Sequence, residues 1–268
     1  MANTLLIAVG QANTEPWTSI WKEGQEKTWI NNDSEYSSVV HVQSKDAPYF
    51  VSKLDAFHEK NRYSKSLGLW QGRLDKVVTR FISSKIPKYY FNPTSNLLMV
   101  NSWSTYFLMG RRVIAFYDWF LKNSDKDFVF TTNTSSYINQ KILLNVIQGF
   151  NPDDSIYAGY LLPEGEKQQF VSGAGRLLSR KSVELFVGHW HKYRHEGLED
   201  VSQGRLMESL GVPALALPRV DLPTPESVAT LPESVIKSQF HFRCKSSDWP
   251  RKDVEIMRLL HERVSKIT

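Results

Sequence analysis

The constraint that most narrows the fold is an alternation, in the first half of the chain, between strand-length apolar runs and helix-length apolar stripes. Thr4 to Gly10 (TLLIAVG) is apolar at almost every position and ends in glycine, the pattern of a strand covered on both faces. Pro16 opens a segment where Trp17, Ile20, Trp21 and Gly24 recur at helical spacing as far as Trp29. Ser38 to Val42 reads as a second strand. Leu69, Trp70, Leu74, Val77, Val78 and Phe81 form a helical stripe that ends before Pro87. Asn96 to Val100 predicts a strand, and Tyr106 to Leu121 a helix carrying Arg111 and Arg112. Asp127 to Thr131 predicts a strand that empties into the polar run Thr132 to Ser136, and Tyr137 to Ile147 a further helix. This alternation points to an α/β fold with a parallel sheet flanked by helices. Ligands of such sheets sit beyond the carboxyl ends of the strands, so Gly10 to Thr14 and Thr132 to Ser136 are the expected site.

The second half is less regular. Phe170 to Gly175 reads as a glycine-broken turn before a helix from Ser179 to His189. Tyr193 to Glu199 reads as a polar loop before a helix from Asp200 to Leu210. Leu215 to Ser234 contains Pro218, Pro223, Pro225 and Pro232 and reads as an extended loop. Asp253 to Ile267 is amphipathic, with Ile256, Leu259, Leu260 and Val264 on one face. No internal repeat is present, and no linker divides the chain.

With 268 residues, 41% of them hydrophobic and 12% aromatic, the chain can build a proper core, which excludes disorder and low complexity. The lone Cys244 excludes a disulfide framework and a cysteine-rich zinc site, and fits a reducing compartment. No run reaches the roughly 18 apolar residues of a membrane span. Thr4 to Val9 lacks the length and basic start of a signal peptide, so the expected location is cytoplasmic. A net charge of +5 and a pI of about 9.1 favour anionic partners. No dense Lys/Arg stripe and no nucleic-acid motif accompanies that charge, so nucleic acid is not an expected partner.

Three groups of residues could carry chemistry. Glu199 and Asp200 are adjacent carboxylates where a loop meets a helix; they can cap the helix, with Asp200 as N-cap, or one can serve as a general base. Gly173 and Gly175 allow close backbone approach to a ligand, or simply a tight turn. His241, Arg243 and Lys245 alternate, so a strand puts all three on one face, as a diphosphate cradle or as a solvated edge. His189 and His191 resemble a metal pair, but i and i+2 face apart on a helix and no carboxylate set follows. No metal ligands are assigned.

Five segments, in order, resemble the fringe and β-1,3-galactosyltransferase family of glycosyltransferases and related bacterial polysaccharide enzymes. Gly24-Gln-Glu-Lys-Thr-Trp29 resembles the family's x-x-I-R-x-T-W, with Lys27 near the arginine position. Ser104-Thr-Tyr-Phe-Leu-Met-Gly110 resembles Y-x-N-L-T-x-K. Phe128 to Asn139 (FVFTTNTSSYIN) resembles K-x-D-D-D-x-F-V-N. Phe170 to Ser179 (FVSGAGRLLS) resembles Y-x-S-G-x-G-Y-x-L-S, and Glu199-Asp-Val-Ser-Gln-Gly204 resembles E-D-V-x-x-G. The resemblance covers roughly residues 4 to 245.

It implies a GT-A-like, Rossmann-type mixed sheet in a single domain, with 1–140 as the nucleotide-sugar half and 141–268 as the acceptor and catalytic half. It implies inverting transfer from a nucleotide-diphosphate sugar, UDP-linked, to a glycan or lipid-linked glycan acceptor. Asp200 takes the position of the family's base and Glu199 that of its neighbour. The donor-binding set it implies is Gly10, Lys27, Asn133, Thr134, Ser135, Gly173, Gly175, His241, Arg243 and Lys245. The family's acidic metal triplet falls on Asn133, Thr134 and Ser135, which bind Mn²⁺ or Mg²⁺ poorly. A metal-independent enzyme, a metal held by other groups and a silent scaffold are then the three possibilities, and the first is expected. Peripheral contact with a membrane through Trp249 to Lys252, and a carbohydrate-binding module on a degenerate transferase scaffold, complete the expectations.

Overall fold

Strand β1 (Leu5–Gln11) lies between two parallel neighbours, β2 (Ser37–Lys45) and β5 (Phe128–Asn133). Its two faces are both covered, Leu5, Ile7 and Val9 joining one core and Leu6 and Ala8 another, which is why its residues are apolar; Leu5, Ile7 and Val9 are fully buried. In this computed structural model residues 2–30, 36–53, 55, 85–105, 108–164, 168–195 and 198–267 are described. The expected stripe at 69–81 lies outside the described residues, as does the start, at Tyr106, of the expected helix 106–121.

Beyond β2 comes β4 (Leu97–Trp103), also parallel, and then β3 (Tyr89–Asn92), antiparallel at the edge. On the other side β8 (Gln168–Ser179) runs antiparallel to β5 and is followed by β7 (Tyr157–Glu164) and β9 (Leu215–Ala216). The order across the sheet is β3-β4-β2-β1-β5-β8-β7-β9. The sheet is therefore mixed: parallel through β4-β2-β1-β5, antiparallel where β3 and β8 join it and between β8 and β7, and parallel again between β7 and β9.

Each face of the sheet has its own core. On one, Leu5, Ile7, Val9, Phe128 and Phe130 cluster with Ile20 and with Ile256, Met257 and Leu260. Ile20 belongs to a helix that begins as α1 (Trp17–Ser19) and continues as a π-helix over Ile20–Gln25. The other three belong to the C-terminal helix (Asp253–Ile267), whose Leu259 faces outward instead of joining the apolar side. On the opposite face Leu6, Ala8, Val40 and Val42 cluster with Ile114, Tyr117 and Phe120 of α2 (Met109–Asn123).

Several expected elements change character. Residues 170–175 are no turn but part of the long strand β8, and their glycines serve close approach to other elements. The expected helix 137–147 divides: β6 (Ser136–Ile138) pairs with β11 (His241–Arg243), and α3 is confined to Gln140–Ile147, capped by Asn139 accepting from the Ile142 N–H at 3.3 Å. The proline-rich stretch is not one extended loop. It holds β9, β10 (Val220–Asp221), and α4 (Pro225–Ala229), and runs into α5 (Glu233–Ser238), with Pro225 and Pro232 at the helix starts. Strands β10, β11 and β6 form a second, three-stranded sheet.

Gly175 sets the distance between the two sheets. A Cβ there would lie 2.4 Å from His241 Cε1 and 2.8 Å from Phe130 Cζ, both on buried rings with no room to retreat. Gly175→Ala should therefore cost about 1–3 kcal/mol by overpacking. Gly188→Ala, where nothing lies within 4 Å, should be neutral or slightly stabilising. Urea denaturation of the two variants measures both.

Candidate functional site

The carboxyl ends of β1 and β5 open onto two adjoining hollows of about 320 and 420 Å³, which share Gly10, Met109, Arg112, Asn133 and Arg243. Larger hollows exist elsewhere, one of about 660 Å³ near Tyr137 and His261 and one of about 740 Å³ over residues 248–259. Neither lies at the strand carboxyl ends, where a sheet of this kind binds its ligand.

The larger of the two hollows gathers Arg112, Arg243 and Lys245, with Asp46 and Asp55 also on its wall. Arg112, in the first turn of α2, is half-buried; its Nη1 donates to the Gln11 carbonyl at 3.0 Å. A Cβ on Gly10 would sit 3.1 Å from Arg112 Nη2, so the glycine admits the guanidinium beside β1. Burial pushes the pKa of Arg112 down, Glu199 opposes that, and the like charge of Arg176 adds to it. Arg243, at the end of β11, borders both hollows, and Lys245 borders the larger one. Burial lowers the pKa of Lys245, with Arg243 and Arg251 adding repulsion and Asp253 opposing. Arg251 is held by Asp253 at 2.5 Å and donates to Ser135 Oγ at 3.1 Å.

The smaller hollow carries Glu199 and Asp200. The helix here, α6 (Glu199–Ser209), takes Leu198 as N-cap, so Asp200 is in the first turn and does not cap it as expected. Glu199 is buried and bonded to Arg176 Nη1 of β8 at 2.5 Å, with Gln203 Oε1 on the same nitrogen at 2.5 Å. Burial works against the charge on Arg176, but Glu199 outweighs it, and the guanidinium pKa is raised. Glu199 is thereby committed. Asp200 is half-buried and borders the smaller hollow. Its Oδ2 accepts from the Gly173 N–H at 3.0 Å, and its Oδ1 from the Val201 N–H at 3.0 Å. Both acids border the smaller hollow, but Asp200 is the one whose partners are neutral.

The expected set is thus brought together in large part. Gly10, Asn133, Thr134, Ser135, Gly173, Arg243, Lys245, Glu199 and Asp200 all border the cleft. Gly175 lies beneath it against His241. Lys27 does not reach it: its ammonium pairs with Glu23 at 2.6 Å, one helical turn away, on an exposed face. His241 does not line the cleft either. It is buried, bonds Ser136 Oγ at 3.1 Å, and is kept neutral, because burial and then Arg219 and Arg243 push its pKa down to about 3.

The residues at 133–135 do not fit a divalent cation. Asn133 Oδ1 already accepts from the Ser135 N–H at 3.1 Å and from Ser136 Oγ, and Ser135 Oγ faces the Arg251 guanidinium. Among the described residues no group of three or more His, Cys, Asp or Glu side chains is placed to hold a metal. Sequence reasoning missed Gln11, Arg112, Arg176 and Arg251. Arg176 had a signal, since an arginine inside an apolar strand demands a buried acid; Arg112 had none beyond its helix.

No protein-family model matches the chain. Two solved structures resemble it loosely. One is a glycosyltransferase involved in the glycosylation of the major capsid of PBCV-1, with a TM-score of 0.43 and 10% identity, covering 96% of this chain and 99% of that one. The other is the glycosyltransferase GlyE of Streptococcus pneumoniae TIGR4, with a TM-score of 0.45 and 9% identity, covering 98% of this chain and 63% of that one. With likeness so slight, the site rests on its own geometry.

Two outcomes follow from that geometry. Glu199→Leu leaves the buried Arg176 without its acid and should cost about 3–5 kcal/mol in urea denaturation. His241, with a folded pKa of about 3, is protonated near pH 6.5 only when the chain unfolds. Its contribution to stability is full above about pH 6.5 and is lost as pH falls from there towards 3. The urea midpoint should drop over that interval, and drop less in His241→Asn.

Proposed function

We propose that the chain is an inverting glycosyltransferase. It moves a sugar from a nucleotide-diphosphate donor, UDP-linked, to a glycan or lipid-linked glycan acceptor in surface-polysaccharide synthesis. The observation that carries this reading is the arrangement of the cleft across the carboxyl ends of β1 and β5: Asp200 borders the smaller hollow, Lys245 the larger, and Arg112 and Arg243 stand where the two adjoin.

In this reading Asp200 accepts the proton of an acceptor hydroxyl. The freed oxygen attacks the anomeric carbon from the side opposite the diphosphate. One carbon–oxygen bond forms as the bond to the diphosphate oxygen breaks, and the electron pair leaves with the diphosphate. Arg112, Arg243 and Lys245 offset the negative charge that develops there. Because residues 133–135 do not fit a divalent ion, no step runs through one. Glu199 acts through Arg176, holding α6 against β8, and is a positioning residue.

Residues 1–140 supply most of the donor end, with Arg243 and Lys245 reaching it from 141–268. No helix among the described residues is long and apolar enough to cross a membrane. A lipid-linked acceptor would then be met at the cytoplasmic surface, where Trp249, 80% exposed beside Arg251 and Lys252, is the candidate contact. A second reading, a carbohydrate-binding module without turnover, is favoured by one observation: Asp200 already has a structural partner in the Gly173 N–H.

UDP release from a panel of UDP-sugars, with and without EDTA, separates the two. Release should resist EDTA and fall by about 10²–10⁴-fold in Asp200→Asn. Release abolished by EDTA would overturn metal independence. Sugar binding without release would favour the module.

A further inference from the structure

Gln11 closes β1 at the mouth of the larger hollow. It is 3% exposed, and neither Nε2 nor Oε1 of its carboxamide has a hydrogen-bond partner. Its carbonyl, by contrast, is held by Arg112 at 3.0 Å, so the backbone beneath the amide is fixed. Leaving both ends of a buried amide unmet is costly, and native proteins rarely keep such a group without a use for it. The position is also specific. Along β1 Gln11 shares a face with Val9, the face on which Trp17 packs, and Trp17 borders the same hollow. Gly10 turns to the opposite face, towards Arg112. The end of β1 thus sets the Arg112 guanidinium on one face and a paired donor and acceptor on the other, one residue apart, and the hollow they border also carries Trp17, with the Arg251 guanidinium over its ring at 4.6 Å.

A ligand with a diphosphate and a flat heterocycle matches that division. A carboxamide offers one acceptor and one donor side by side, the complement of an N–H next to a carbonyl on a nucleobase edge. We propose that Gln11 reads the nucleobase of the donor, its Oε1 accepting from the uracil N3–H and its Nε2 donating to the adjacent carbonyl. This rests on the nucleotide-diphosphate reading above and deepens it by naming the residue that selects the base. Asp200 sits in the other hollow and takes no part.

The test is calorimetric titration of the full chain with UDP, 3-methyluridine diphosphate and pyrophosphate, using wild type and Gln11→Leu. The wild type should bind UDP at least about tenfold more tightly than the 3-methyl compound, which lacks the N–H. Gln11→Leu should lose a similar factor for UDP, no longer distinguish the two nucleotides, and bind pyrophosphate as the wild type does. The unliganded variant should melt no lower than the wild type, because it removes two unmet buried polar atoms. Unchanged UDP affinity in a folded Gln11→Leu would overturn the assignment and leave Gln11 as the host of a buried water. Equal loss for UDP and pyrophosphate would overturn it too, since the damage would not be at the base. A wild type that binds pyrophosphate but no nucleotide would overturn the donor reading and this assignment with it.

Discussion

The Arg176–Glu199 pair holds the site together. It joins the middle of β8 to the first turn of α6 with both side chains buried. Such a pair contributes little net stability over an apolar contact, yet is expensive to break, so it fixes position more than it adds energy. Gln203 accepts from the same guanidinium nitrogen and donates to the Tyr117 hydroxyl at 3.0 Å, which ties α2 into the network. Tyr193 donates to the Glu199 carbonyl at 3.0 Å and locks the helix start from the other side. Asp200 follows Glu199 directly, so each of these bonds also fixes where its carboxylate stands.

The same elements explain how acid and cations meet at the cleft. Strand β8 lies next to β5, and α6 starts against β8, which brings Glu199 and Asp200 to the smaller hollow. The first turn of α2 and the end of β11 bring Arg112 and Arg243 to the same wall, where the two hollows adjoin. Glycines at Gly10, Gly173 and Gly175 permit three close approaches: a guanidinium to β1, a carboxylate to β8, and a buried imidazole to the underside of β8. The approach at Gly175 excludes a Cβ, those at Gly10 and Gly173 leave only a tight fit for one, and these last two put a charged group at the cleft wall.

Legibility in the sequence followed the range of the interaction concerned. The parallel centre was readable because a strand buried on both faces must be apolar throughout, and Leu5 to Val9 state that locally. The C-terminal helix was readable from its 3.6-residue period, although Leu259 turned outward. The strand over 170–175 was misread because a glycine chosen for close packing against a distant ring looks, in sequence, like a glycine chosen for a turn. Lys27 was misplaced because a motif position carries no information about which face of the helix is exposed. His241 was misplaced because strand alternation gives the face but not whether that face is dry.

The sequence by itself determined the alternation of strands and helices in the centre of the sheet and the adjacency of Glu199 and Asp200. These depend on residue type and on neighbours a few positions apart. Only the tertiary structure decided which of the two acids is free. That choice hangs on Arg176, 23 residues from Glu199 in sequence and 2.5 Å from it in space. It likewise decided that Arg112 meets Arg243 and Lys245, because the helix that carries the first and the strand end that carries the other two come together only when the sheet is assembled. Charge in a buried site is set by long-range pairing, and no local pattern records it.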